Sequence, residues 1–175
     1  MKRIMFTLAM FLTGFTFAFG SGRVWLAAGN GGIFYEDAKT TLFINFEKGT
    51  WEDDESLVTH FGRELDSIAD IAHMRFAAHI NEASKGLEVV DNERFAEYDM
   101  ILTVNKLVCK ANIVGRKKMK IWGKLDVYDK RTDRKVCTVS ISDYAGKGID
   151  YEESEALCLT LHSLAYELFK VRVRP

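Results

Sequence analysis

Lys118-Met119-Lys120-Ile121-Trp122-Gly123-Lys124-Leu125-Asp126-Val127-Tyr128 alternates without a break. Met119, Ile121, Gly123, Leu125 and Val127 occupy one phase of a period-2 pattern, and the charged and aromatic residues occupy the other. Successive strand side chains point to opposite sides, so this stretch predicts a strand with one face in a core and the other in water. Such a strand belongs to an antiparallel sheet covered on one side, because strands of a doubly covered parallel sheet are apolar throughout.

The neighbouring segments extend the sheet. Residues 129–135 form a charged hairpin turn, after which residues 136–143 return with Cys137, Val139 and Ile141 on the core phase. Upstream of a loop at 111–116, residues 98–110 place Met100, Leu102 and Val104 inward and Ile101, Thr103 and Asn105 outward. Three consecutive strands are thus antiparallel. Two shorter strands come earlier: residues 40–47, with Leu42, Ile44 and Phe46 on one phase, and Gly86-Leu87-Glu88-Val89-Val90-Asp91.

Between those two, Leu57, Phe61, Leu65, Ile68, Ala72, Phe76 and Ile80 recur at steps of three and four, which puts them on one face of a helix. Thr50-Trp51-Glu52-Asp53 reads as its capping box, and Gly86 follows its end near Ser84 as a stop. At about 30 residues the helix is long for a domain of this size, so a kink or an overhang beyond the sheet is expected. Asp150-Tyr151-Glu152-Glu153 opens a last helix that runs to Val171, with Leu157, Leu161, Leu164 and Leu168 inward. The order is β-α-β-β-β-β-α, which gives an α+β fold: a mostly antiparallel sheet with two helices packed on one face.

Ahead of the first strand, residues 21–39 show no sustained periodicity and read as a flexible lead-in to a single α+β domain at 40–175. Ala28-Gly29-Asn30-Gly31-Gly32 lacks the Lys-Ser/Thr of a phosphate loop, and Ile33-Phe34-Tyr35 follows where a helix would have to start. Residues 1–20 carry Lys2 and Arg3, an uncharged run from Ile4 to Phe19, and Ala18-Phe19-Gly20, a small-x-small site for cleavage before Ser21. This is the pattern of a secretory signal peptide, so a periplasmic or secreted location is expected. The run is short for a membrane span and is interrupted by Thr7, Thr13, Gly14 and Thr16, so membrane attachment is expected only if the segment is retained.

Taking Lys2 and Arg3 from the 24 basic residues leaves 22 against 25 acidic ones, a formal charge of −3 on the mature chain. A nucleic-acid partner would call for a basic domain, and none is expected. Three cysteines are too few for a disulfide scaffold. On the strand phases, Cys109 falls on the solvent side, Cys137 on the core side, and Cys158 on the apolar side of the last helix. A Cys137–Cys158 bridge is therefore open to the chain. A Cys109–Cys137 bridge is not, unless a bulge shifts the register. Buried free thiols are the expected state.

Thr41-Leu42-Phe43-Ile44-Asn45-Phe46 before a long helix, Gly86 to Asp91, Ala96-Glu97-Tyr98-Asp99-Met100-Ile101-Leu102, and Leu125-Asp126-Val127-Tyr128-Asp129 with Arg134-Lys135-Val136 at the hairpin carry a resemblance. The chain resembles a group of bacterial envelope proteins: the periplasmic N-terminal domain of TolB, the lipoprotein activators of penicillin-binding proteins, and the curli-secretion lipoprotein. It departs from them in having no lipobox cysteine and in holding Asn105 and Arg134 at positions where glycine is expected. The resemblance implies a non-catalytic domain that binds other envelope components.

Tested independently, the chain offers no assembled chemistry. His60, His73, His79 and His162 fall on helices, and none has a second histidine four residues away. His60 with Glu64, or Asp70 with His73, supplies two ligands and no third, so neither a metal site nor a cofactor is predicted. No Gly-x-Ser-x-Gly elbow is present, and the acidic groups at 52–55 and 150–155 sit at helix starts, where the helix dipole stabilises them. No catalytic residue is assigned. The alternative reading, a small secreted hydrolase or thiol enzyme, rests on Cys109, with Lys106 and Lys110 nearby to lower its pKa.

The expected binding site is the solvent row of the first strand quoted: Lys118, Lys120, Trp122, Lys124 and Tyr128, extended by Arg116 and Lys117. An exposed indole and phenol among lysines fits an envelope protein with an acidic surface, or an anionic glycan or other polymer. The competing reading makes the lysines guards of an open sheet and packs Trp122 on Thr103 or Ile101 of the next strand.

Overall fold

The structure is a computed structural model that describes residues 23–171. Residues 1–20, read from the sequence as a signal peptide, lie outside the described residues. Six strands, β1 (Arg23–Gly29), β2 (Ala38–Asn45), β3 (Leu87–Val89), β4 (Tyr98–Ala111), β5 (Lys117–Asp129) and β6 (Arg134–Ala145), form one sheet in the order β1-β6-β5-β4-β2-β3. β4, β5, β6 and β1 are antiparallel in turn, whereas β2 runs parallel to both β4 and β3. The helices are α1 (Leu57–Phe61), α2 (Leu65–Ala83) and α3 (Glu153–Leu168).

The long helices lie on one face of the sheet, as expected. Ile68, Ala72, Phe76 and Ile80 of α2 and Leu157, Leu161, Leu164 and Leu168 of α3 share a core with Met100, Leu102, Met119, Ile121, Leu125, Val127, Cys137, Val139 and Ile141. The two helices run side by side in the same sense. Arg75 meets Glu155 at 2.6 Å, and one turn further along the rings of His79 and His162 stack.

Three features depart from the sequence reading. First, part of the segment read as a flexible lead-in is ordered: β1 pairs with β6 as an edge strand, with Val24 and Leu26 turned toward the core. An edge strand has one neighbour only, so its alternation is short and flanking glycines obscure it. Second, the long helix is two helices. Gly62 breaks it at φ 53°, ψ −124°, a conformation open in practice to glycine alone. The N-cap is Ser56, whose hydroxyl accepts from the Thr59 amide, instead of Thr50.

Third, β4 carries a bulge. Val104 stands opposite Gly123, but Lys106 stands opposite Trp122, so Asn105 is the extra residue. The Asn105 carbonyl accepts from the Thr50 amide and the Thr50 carbonyl accepts from Leu107, which ties the bulge to the chain leaving β2. A one-residue insertion exchanges the two faces beyond it. Leu107 is fully buried and Cys109 packs on the core, while Lys106, Val108 and Lys110 turn to the open face. Cys109 is thus on the opposite side from the one its simple alternation predicts. Cys109, Cys137 and Cys158 are all free.

Candidate functional site

Among the described residues no helix covers the second face of the sheet. β5 crosses its middle, with Lys118, Lys120, Trp122, Lys124 and Tyr128 all half-buried. The cross-strand register builds the surface around them. One row runs from Trp25 through Ser140, Lys124 and Thr103 to Asn45, and the next from Thr138 through Asp126 and Ile101 to Phe43. Trp25 is 43% exposed and Phe43 44%, so aromatic surface reaches solvent toward both sides of the sheet. The β4 bulge decides what lies beside Trp122. Its partner on β4 is Lys106, not Thr103 or Ile101 as in the competing reading.

The lysines divide into two groups. Lys120 reaches the Asp143 carboxylate at 2.5 Å, and Asp143 stands at a second bulge, in β6, with φ 51°. Lys124 and Lys135 reach the two oxygens of Asp126 at 2.9 and 3.0 Å, and the Thr138 hydroxyl donates to the same carboxylate at 2.5 Å. Asp126 is only 3% exposed although it lies on the uncovered face, because these side chains close over it. Burial alone would push its pKa up. The hydrogen bonds from Lys124, Thr138 and Lys135 outweigh that and hold the carboxyl below its ordinary value. Lys135 also sits 5.5 Å from the centre of the Tyr128 ring.

Lys110 and Lys118 form the second group. They stand directly opposite each other across β4 and β5, and no carboxylate of the described residues lies within salt-bridge distance of either. Like charges placed opposite on a sheet repel. The basic character of the face is therefore concentrated at the end of the sheet where Lys110 and Lys118 meet, with Trp122 further along the same row.

Arg116 and Lys117 do not extend the row. Lys117 lies on the Met119 phase, so its ammonium points to the helical side and pairs with Glu153 at 2.7 Å. Arg116 lies 5.4 Å from the Tyr151 ring centre and donates to its hydroxyl at 3.2 Å. Lys117 lines an open cleft of about 510 Å³ at the start of α3, together with His60, Phe61, Ile68 and Glu153. The His60 ring stacks on Trp51 with centroids 4.0 Å apart, and its two nitrogens face Glu55 at 3.3 Å and Glu153 at 3.4 Å. That histidine is held from both sides by carboxylates, a structural clamp between α1 and α3.

The thiols offer little to the alternative enzyme reading. Burial, then the Glu153 carboxylate, push the Cys109 pKa up, and Lys117 opposes them incompletely. Burial pushes Cys137 up to about 11. A nucleophilic thiol needs the opposite shift. The helical layer does hold a cluster that spacing along one helix does not reveal: His79 and Glu82 of α2 meet His162 of α3, with one ligand atom from each within 4.8 Å of the others.

No protein-family model matches the chain, and no curated protein matches it in sequence. Among solved structures it is similar to the PelC dodecamer from Paraburkholderia phytofirmans, with 10% identity over 87% of this chain and 99% of that one, and a TM-score of 0.47. A DUF330 protein from Xanthomonas campestris has 11% identity over 77% and 84% of the two chains, with a TM-score of 0.41. A neuraminyllactose-binding hemagglutinin homolog from Helicobacter pylori has 7% identity over 77% and 86%, with a TM-score of 0.40. These three do not belong to the families named from the sequence. With TM-scores below 0.5, none of these likenesses carries a functional reading to this chain.

Proposed function

We propose that this chain is an exported, non-catalytic domain that binds another component of the cell envelope through its open sheet face. What supports the reading is the pair Lys110 and Lys118, opposed on an uncovered sheet in the same strands as Trp122. A sheet that spends stability on facing ammonium groups recovers it when an anion lies between them. Trp122 then supplies an aromatic contact further along β5, beside Lys106, whose ammonium pairs with Asp54 at 3.0 Å. The partner is an acidic one, either an envelope protein with a carboxylate-rich surface or an anionic glycan or other polymer. The mature charge of −3 leaves nucleic acid outside this reading, since only the one face is basic.

The test is affinity capture of the tagged mature chain from its native envelope, set against a Trp122→Ala/Lys118→Glu variant. Capture is expected to fall at least tenfold, about 1.4 kcal/mol or more, with the thermal midpoint little changed because both positions are partly exposed. A Lys85→Glu control at the end of α2 should capture as the wild type does. Equal capture by the open-face variant would contradict the assignment.

A further inference from the structure

We propose that His79, Glu82 and His162 form a binding site for a borderline divalent cation of the zinc class, bridging α2 and α3 on the solvent side of the helical layer. His79 and Glu82 are three residues apart, so they project from one helix face, and His162 approaches from the neighbouring helix. The two imidazoles stack with centroids 4.2 Å apart and an interplanar angle of 29°. His79 Nδ1 lies 3.4 Å from a Glu82 carboxylate oxygen. One donor atom from each of the three residues falls within 4.8 Å of the others, a spread that small rotations about the side-chain bonds close onto one ion.

The donor set chooses the cation. Two imidazoles and one carboxylate suit zinc and its neighbours, whereas calcium and magnesium take oxygen ligands. Glu82 is exposed and both histidines are half-buried, so an ion held there keeps a position open to water. Tyr166, one turn beyond His162, packs edge-on against the His162 ring with centroids 5.2 Å apart. It is a positioning residue that holds the imidazole from outside the coordination shell.

The His60 cleft does not compete. Its ring nitrogens face two different carboxylates on opposite sides, and one of these, Glu153, already pairs with Lys117. Three donors cannot meet at one point there without breaking that pair.

Titration of the untagged chain with Zn²⁺ in chelator-free buffer at pH 7.5 tests the site, with Co²⁺ as a second probe for its visible spectrum. One equivalent is expected to bind with micromolar or tighter affinity and to raise the thermal midpoint, because the ion ties two helices together. His79→Ala and His162→Ala are each expected to weaken binding at least tenfold, Tyr166→Ala by a smaller factor, and His60→Ala not at all. Glu82→Gln, at an exposed position where folding is not at stake, is expected to weaken it as well. The Co²⁺ complex should show no thiolate charge-transfer band. Absence of saturable binding, binding that survives His79→Ala, His162→Ala or Glu82→Gln, or a thiolate band would overturn the proposal.

Discussion

Gly123→Ala is expected to destabilise the fold by about 3 kcal/mol, measured as a lowered urea midpoint at unchanged slope. The residue stands on the core phase of β5, between Ile121 and Leu125, where a side chain would ordinarily be welcome. Its partner on β4 is Val104, one residue before the bulge. A Cβ built at Gly123 would lie 2.3 Å from the Thr103 carbonyl oxygen, 3.3 Å from the Thr103 carbonyl carbon and 3.4 Å from the Val104 Cα. These are backbone atoms of a paired strand, which cannot turn aside as a side chain would. The alanine variant must separate β4 from β5 or lose the bulge. Losing the bulge would carry Leu107 out of the core and Lys106 into it. A loss under 1 kcal/mol would show that the two strands are less tightly apposed than this.

Asp126→Ala is expected to cost about 2 kcal/mol near neutral pH. The carboxylate is buried and accepts from Thr138, Lys124 and Lys135, so its removal strands the Thr138 hydroxyl and frees two lysines. The lysines are partly exposed and can turn to water, which keeps the cost below that of breaking a fully buried pair. The effect has a pH signature. The native carboxyl holds its proton more weakly than the unfolded one, whose ordinary value is 3.8. The contribution is therefore complete above that value and is lost as the pH falls through the lower native one. The stability difference between wild type and variant should be flat from pH 6 to 8 and shrink from roughly pH 4 downward. A difference that persists unchanged into acid would place the stabilisation elsewhere.

Much of this architecture is legible in the chain because β5 and β6 alternate cleanly and because the stripes of α2 and α3 are unbroken. Legibility fails where one residue is added or where partners are distant. The β4 bulge leaves a trace: Val104 and Leu107 are three apart, an interval no regular strand allows between two core residues, and it places the extra residue between them. Reading Leu107 as core would have returned Cys109 to the buried side. β1 leaves a weaker trace in Val24 and Leu26. The ion pairs of Lys120 with Asp143 and of Lys117 with Glu153 join residues more than twenty positions apart, so they follow from the tertiary fold and from no local pattern. The same holds for His79 and His162, which no spacing within a single helix brings together.

The open sheet face as the binding surface is most directly tested by zero-length carbodiimide cross-linking of the tagged mature chain in its native envelope, read by mass spectrometry. The reagent joins a lysine amine only to a carboxylate in contact with it. Intermolecular cross-links are predicted to concentrate at Lys110 and Lys118, on the uncovered face, and to disappear at Lys118 in the Lys118→Glu variant. Their concentration at Lys85, Lys147 or Lys170 instead, or their absence from Lys110 and Lys118, would contradict it.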